Sequence, residues 1–204
     1  PTRESLLMFA LSPFAFPSIS VPTGEGDMEL IFSSTLTSDT NSFSTGTLPT
    51  GYKAFQIYIK ARTDRDNIHD NIAVYFNGDL ADSNYQVFRI TANTITAPIN
   101  ISQNLPALFQ TPGGSGQANF FSGATMVAYD PENTTQFKSF TFLQGRHSHS
   151  SSTSSGERST MPGSGVWRDQ SAITSITFKA VGTNSNGTAA DLVSGSSFHV
   201  YGLK

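Results

Sequence analysis

The chain contains no cysteine, which excludes disulfides, thiolate chemistry and cysteine-ligated zinc and removes any need for an oxidising compartment. Charge is scarce as well: 12 Lys and Arg stand against 15 Asp and Glu, for a net charge of −3. No basic run supplies the footprint that displaces counterions along phosphates, so nucleic acid is not an expected partner. No apolar run approaches the ~20 residues that cross a bilayer, and no membrane partner is expected. Catalytic motifs are missing too. There is no Gly-x-Ser-x-Gly elbow, Gly113-Gly114-Ser115-Gly116 lacks the Lys and following helix of a phosphate loop, and no carboxylate pair stands out. The expectation is a protein that is not an enzyme and uses no cofactor.

What remains is polar without being charged. Ser and Thr account for 51 of 204 residues, beside 16 Phe and 17 Gly, a composition that favours strands over helices. The length suits one domain, with or without an arm.

Period-2 patterning is clear in several places. Lys53–Arg62 alternates, with Phe55, Ile57, Ile59 and Ala61 on one face, and Ile72, Val74 and Phe76 repeat the pattern. Asn77-Gly78-Asp79 supplies turn chemistry, with Tyr85–Thr91 as the return strand. Further strands are predicted at Ala124–Tyr129, Gln136–Leu143, Ala172–Lys179 and Ser197–Leu203, and fainter ones over 29–36 and 94–102. Many short strands with Gly, Asn and Pro between them predict an all-β, antiparallel β-sandwich, with a jelly roll as first choice of topology.

Residues 1–27 are distinct from the 28–204 domain. The leader is apolar and broken by prolines, and Leu6, Leu7, Met8, Phe9, Leu11, Phe14 and Phe16 have no period that would bury them locally. Glu4, the shortness of the apolar run and the absence of a small-x-small cleavage site argue against a signal peptide, so a mature, non-secreted product is expected. The leader either docks on another subunit or particle or forms a strand pair completing the domain's own core.

Residues 145–165 read as a Ser/Gly-rich loop. Within it, His147-x-His149 offers two imidazoles on one side of an extended chain, a weak metal candidate that three copies on an axis would complete, against the alternative of a solvated pair. Asp64, Asp66 and Asp70 offer oxygens at alternating positions but lack the glycine and distal Glu of a calcium loop. Tyr58, Tyr75, Tyr85 and Tyr129 on outward faces, with Trp167 at the end of the loop, are candidate glycan contacts; the alternative for Trp167 is a plug at one end of the sandwich.

An ordered set of motifs spans residues 28–204. Glu29-Leu30-Ile31 is followed by Leu48-Pro49-Thr50-Gly51-Tyr52-Lys53, Phe76-Asn77-Gly78-Asp79, Asn84-Tyr85 and Gly165-Val166-Trp167. Ala172-Ile173-Thr174-Ser175-Ile176 and the ending Ser194-Gly195-Ser196-Ser197-Phe198-His199-Val200-Tyr201-Gly202-Leu203 complete it. This set resembles a family of tailed-bacteriophage virion proteins, small β-sandwich modules of tails, fibres and head decoration. The resemblance implies a structural protein of the virion, assembled in the bacterial host cytoplasm, bound to capsid or tail proteins as a homo-oligomer, a trimer by analogy. It implies no catalytic residues. The leader, the Ser-rich segment and a polar insertion between Val181 and Gly195 depart from the pattern. The alternative function is a tail or head-fibre adhesin for host-surface glycans.

Overall fold

The computed structural model describes residues 27–91, 99–148 and 157–204. The alternating segments form strands as their patterning requires, in the order β1 (Met28–Thr35), β2 (Ser42–Ser44), β3 (Ala54–Ala61), β4 (His69–Phe76), β5 (Tyr85–Thr91) and β6 (Ile99–Gln103). The chain continues through β7 (Ala107–Pro112), β8 (Ser122–Tyr129), β9 (Lys138–Ser148), β10 (Glu157–Trp167), β11 (Ile176–Ala180) and β12 (Ser197–Leu203). Among the described residues the only helical element is a single 3-10 turn, Asp82–Asn84.

Two antiparallel sheets face one another. The larger runs β1-β12-β3-β8-β9-β10-β5-β6 and the smaller β2-β11-β4-β7. The connections β1 to β2, β3 to β4, β7 to β8 and β11 to β12 each pass from one sheet to the other. Phenylalanine fills the space between the layers. Phe178 stacks on Phe198 with centroids 4.4 Å apart, Phe43 packs on Phe198, Phe109 meets Phe142 edge-on, and Phe76 meets Phe140. Each contact joins a residue of the small sheet to one of the large, so the core lies between the sheets.

The structure corrects three expectations. The segment read as a loop is largely strand: β9 and β10 form an eleven-pair hairpin from Ser148–Glu157 to Lys138–Trp167 without a register shift. The Ser/Gly composition masked an alternation in which Ser159, Met161 and Trp167 turn inward. Gly163 and Gly165 share that face because the rings of Phe142 and Phe140, directly opposite, fold over them, leaving no room for a Cβ. Next, the turn after Phe76 is not a hairpin. Asn77 and Gly78 take positive φ (54° and 68°) and Asp79 N–H bonds Phe76 O at 2.9 Å, but β4 belongs to the small sheet and β5 to the large one. Finally, the predicted Ala172–Lys179 strand starts only at Ile176, because Asn77 draws the N–H groups of Thr174 and Ser175 to its side chain.

Candidate functional site

The motif residues converge on two structural locks. At the end of β4, the Asp79 carboxylate accepts hydrogen bonds from Trp167 Nε1 (2.8 Å), Asn84 Nδ2 (2.9 Å) and the Ala81 N–H (3.2 Å). Tyr85 accepts the Phe76 N–H at 2.9 Å and donates to Asp79 O at 3.1 Å. Trp167 stacks on Tyr85 and tilts against Phe76. Burial pushes the Asp79 pKa up, but the three donors outweigh it and hold the group below the usual carboxylate range. The second lock lies on the opposite edge. Tyr52 lies over Gly202, donates to Glu29 at 3.0 Å, and its N–H bonds Glu132 at 2.9 Å, while Lys204 pairs with Glu29 at 3.0 Å. These contacts account for Glu29, Tyr52, Phe76, Asp79, Asn84, Tyr85, Trp167 and Gly202 by folding alone.

The first lock decides between the two roles expected for Trp167. The indole is 1% exposed and its N–H is committed to Asp79, so it plugs the end of the sandwich and offers no face to a glycan. Tyr85 and Tyr75 are buried as well, with the Tyr75 hydroxyl bonded to Asp82 and pushed up to about 12 by burial and that carboxylate. Tyr58 and Tyr129 do face outward, as expected.

The acidic 64–70 segment is split among three tasks. Asp64 accepts the Asp191 N–H and Asp66 the Ser185 N–H, both at 2.7 Å, which ties this turn to the polar insertion. Asp70 is fully buried, with the Arg65 guanidinium 3.6 Å away and no hydrogen bond of good geometry to either oxygen. Burial pushes its pKa up, offset in part by the Asn71 N–H, Thr63 and Arg65. Among the described residues no three His, Asp or Glu are grouped to hold a metal. Neither imidazole of the proposed pair is described: His147 belongs to β9 and pairs with Arg158 by its backbone, and His149 lies outside the described residues, as do Leu6, Leu7, Met8, Phe9, Leu11, Phe14 and Phe16.

Sequence reasoning passed over Arg62. It is buried, and its guanidinium donates to the carbonyls of Gly114 (3.2 Å), Gly116 (3.0 Å) and Gln117. Gly113 and Gly114 press against the carbonyls of the 64–67 turn, where a Cβ has no room. The Gly-rich turn thus holds an arginine through its own carbonyls.

Among the described residues, the outer face of the large sheet is a broad surface without such a structural task. Registers place Leu30, Tyr201, Gln56, Val127, Thr141, Ser164 and Phe88 in one row across seven strands. A second row runs Ser33, His199, Tyr58, Thr125, Leu143 and Pro162. A third runs Thr35, Ser197, Lys60, Gly123, Gly145 and Thr160. Lys60 is the single charge in the three rows, and its ammonium sits 5.2 Å from the Phe121 ring centroid. Gly123 and Gly145 pair with each other above open space, flooring a groove of about 440 Å³ bordered by Tyr58, Thr125, Leu143 and His199. Period-2 patterning fixed which residues of β3 face outward, but only the register shows that seven strands together present so little charge.

Comparison with known proteins finds no family model that matches the chain and no similar curated protein.

Proposed function

We propose that the chain is an accessory structural protein on the exterior of a tailed-phage particle, a decoration or fibre-type subunit that docks through its N-terminal arm. The sparsely charged outer face of the large sheet is the observation that carries an assembly role. A protein surrounded by water normally scatters charge over its surface, whereas this face sets Leu30, Leu143 and Phe88 among hydroxyls and a single Lys. The virion setting rests on the ordered motif set and its resemblance to phage modules. The arm reading is supported by the point of entry: the leader joins the domain at β1, an edge strand, where Met28 and Leu30 are half exposed. Each buried apolar side chain of the arm is worth about 1.5–3 kcal/mol before ordering costs, and an edge strand offers free backbone groups to a neighbour.

In the same reading the sandwich is a jelly roll, with β1-β12-β3-β8 and β2-β11-β4-β7 as its two four-stranded halves. The β5–β6 and β9–β10 pairs then widen one half. The glycan-adhesin alternative loses its main residue with the burial of Trp167. Deletion of residues 2–22 tests the proposal: the shortened chain keeps the strand signature of the wild type by circular dichroism but is absent from purified particles. Incorporation at the wild-type level overturns the arm.

A further inference from the structure

We infer that the outer face of the large sheet is a contact between two copies of this chain, with Leu143 of each copy seated in the Gly123–Gly145 groove of the other. The inference goes beyond the virion proposal and does not depend on it. A two-fold interface must be self-complementary: if one residue meets a second, the second must meet the first. This face carries a projection and a recess side by side. Leu143 is 53% exposed, and two positions along the same strand Gly145, paired with Gly123, leaves a gap that no side chain fills. The groove is lined chiefly by carbon, through Tyr58, Ala124, Thr125 and the glycines, so it accepts an aliphatic knob.

Size and charge favour a second copy over a small ligand. The face spans about 34 Å in its seven-strand row, with two six-strand rows beside it, and about 20 Å along the strands, roughly 600 Å², within the range each partner gives to a specific interface. Copies of one chain repel when like charges are brought together, and here the only charge in the three rows, Lys60, leans onto Phe121. Tyr58 borders the recess and meets Tyr201 of the neighbouring strand edge to face at 5.5 Å, a pair that adds the rigid aromatic area that interface centres favour.

Sedimentation equilibrium on the full chain tests this. The expected mass is twice the 21.9 kDa of the chain. Leu143→Glu, which removes the knob, and Gly145→Leu, which fills the recess, should each weaken dimerisation on the order of a hundredfold or more, since both copies lose a buried leucine contact. Both positions are exposed, and a Cβ at Gly145 meets nothing, so each variant should fold with the wild-type circular dichroism and unfold at the temperature the wild type shows when diluted to monomer. As the chain has no native cysteine, mixing the single variants Leu143→Cys and Gly145→Cys under oxidation should give a crosslinked mixed dimer. A monomer at 100 μM, a trimer, a dimer indifferent to both substitutions, or no mixed crosslink overturns the contact. A glycan occupant would show itself as a monomer whose Tyr58 resonances shift with oligosaccharide, which also overturns it. Failure of the arm deletion test would leave this dimer intact, so the two readings fail separately.

Discussion

A carboxylate stands at each end of β4, Asp70 fully buried and Asp79 half-buried in the turn that follows, and they differ in how each is met. At the far end, Asp79 receives Trp167, Asn84 and Ala81 as donors. At the near end, Asp70 has one guanidinium at 3.6 Å and no hydrogen bond of good geometry. Burial acts in the same direction on both. The donors overcome it at Asp79 and do not at Asp70, so the pKa falls at one end and rises at the other. Burying a carboxylate strengthens a fold only where hydrogen bonds replace the lost water.

The largest effect that breaks this contrast is Asp79→Ala. It strands the buried Trp167 N–H and frees Asn84 and the turn that passes the chain between sheets. Loss of charge-assisted bonds with an orphaned buried donor should cost about 3–5 kcal/mol in urea unfolding. An Asp79→Asn variant that unfolds with the wild type would show that the carboxylate is not needed.

Glycines beside the two ends sharpen the comparison at intermediate size. A Cβ at Gly165 would meet the Phe140 ring, at 2.5 Å, and the Gln86 carbonyl, at 2.8 Å, both fixed in the core. At Gly182 it would meet the Asp70 carboxyl first and then the Arg65 chain, two side-chain ends that can shift by a rotamer change where the ring and backbone at Gly165 cannot. Gly165→Ala should therefore cost about 2–3 kcal/mol and Gly182→Ala about 1 kcal/mol. Equal costs would mean that the Asp70 end is as rigid as the other.

Much of the fold was legible because alternation survives wherever large apolar residues mark one face. Tyr85–Thr91 and Ser197–Leu203 match their predicted limits, and Ala54–Ala61 falls within one residue at each end. β10 was not legible, since its inward positions before Trp167 are Ser, Met and Gly, and the glycines' apolar cover comes from Phe140 and Phe142 on another strand. Nor could the turn at Asn77-Gly78 reveal its partner, as positive φ serves a hairpin and a sheet-to-sheet crossing alike. Turn chemistry is local; strand pairing is not. The same limit hid the sites. Trp167 carries no mark of burial in its neighbours, and its bond to Asp79 joins the end of β10 to a turn far away in the chain. Arg62 ends an alternating strand like any surface residue, and only the carbonyls of a distant glycine turn hold it inside.

The smallest effect tests the sign of the contrast directly. Asp70 takes up its proton more readily in the folded chain than in the unfolded one, because burial raises its pKa. It therefore favours the fold at acid pH and loses that contribution as pH rises through the folded value. Asp79 has a lowered pKa and behaves oppositely: its contribution is full above the ordinary carboxylate range and is lost as pH falls. Asp70→Asn removes the first slope and keeps the second. The variant should match the wild type near pH 4 and exceed it by up to about 1 kcal/mol at pH 7, since an amide is cheaper to bury than a poorly hydrogen-bonded ion. Arg65, partly exposed, can turn to solvent when its partner is neutral. Urea unfolding at the two pH values measures the difference. A variant less stable than the wild type at pH 7 would mean that the Arg65 pair outweighs desolvation, and the two ends of β4 would then stabilise the fold in the same way.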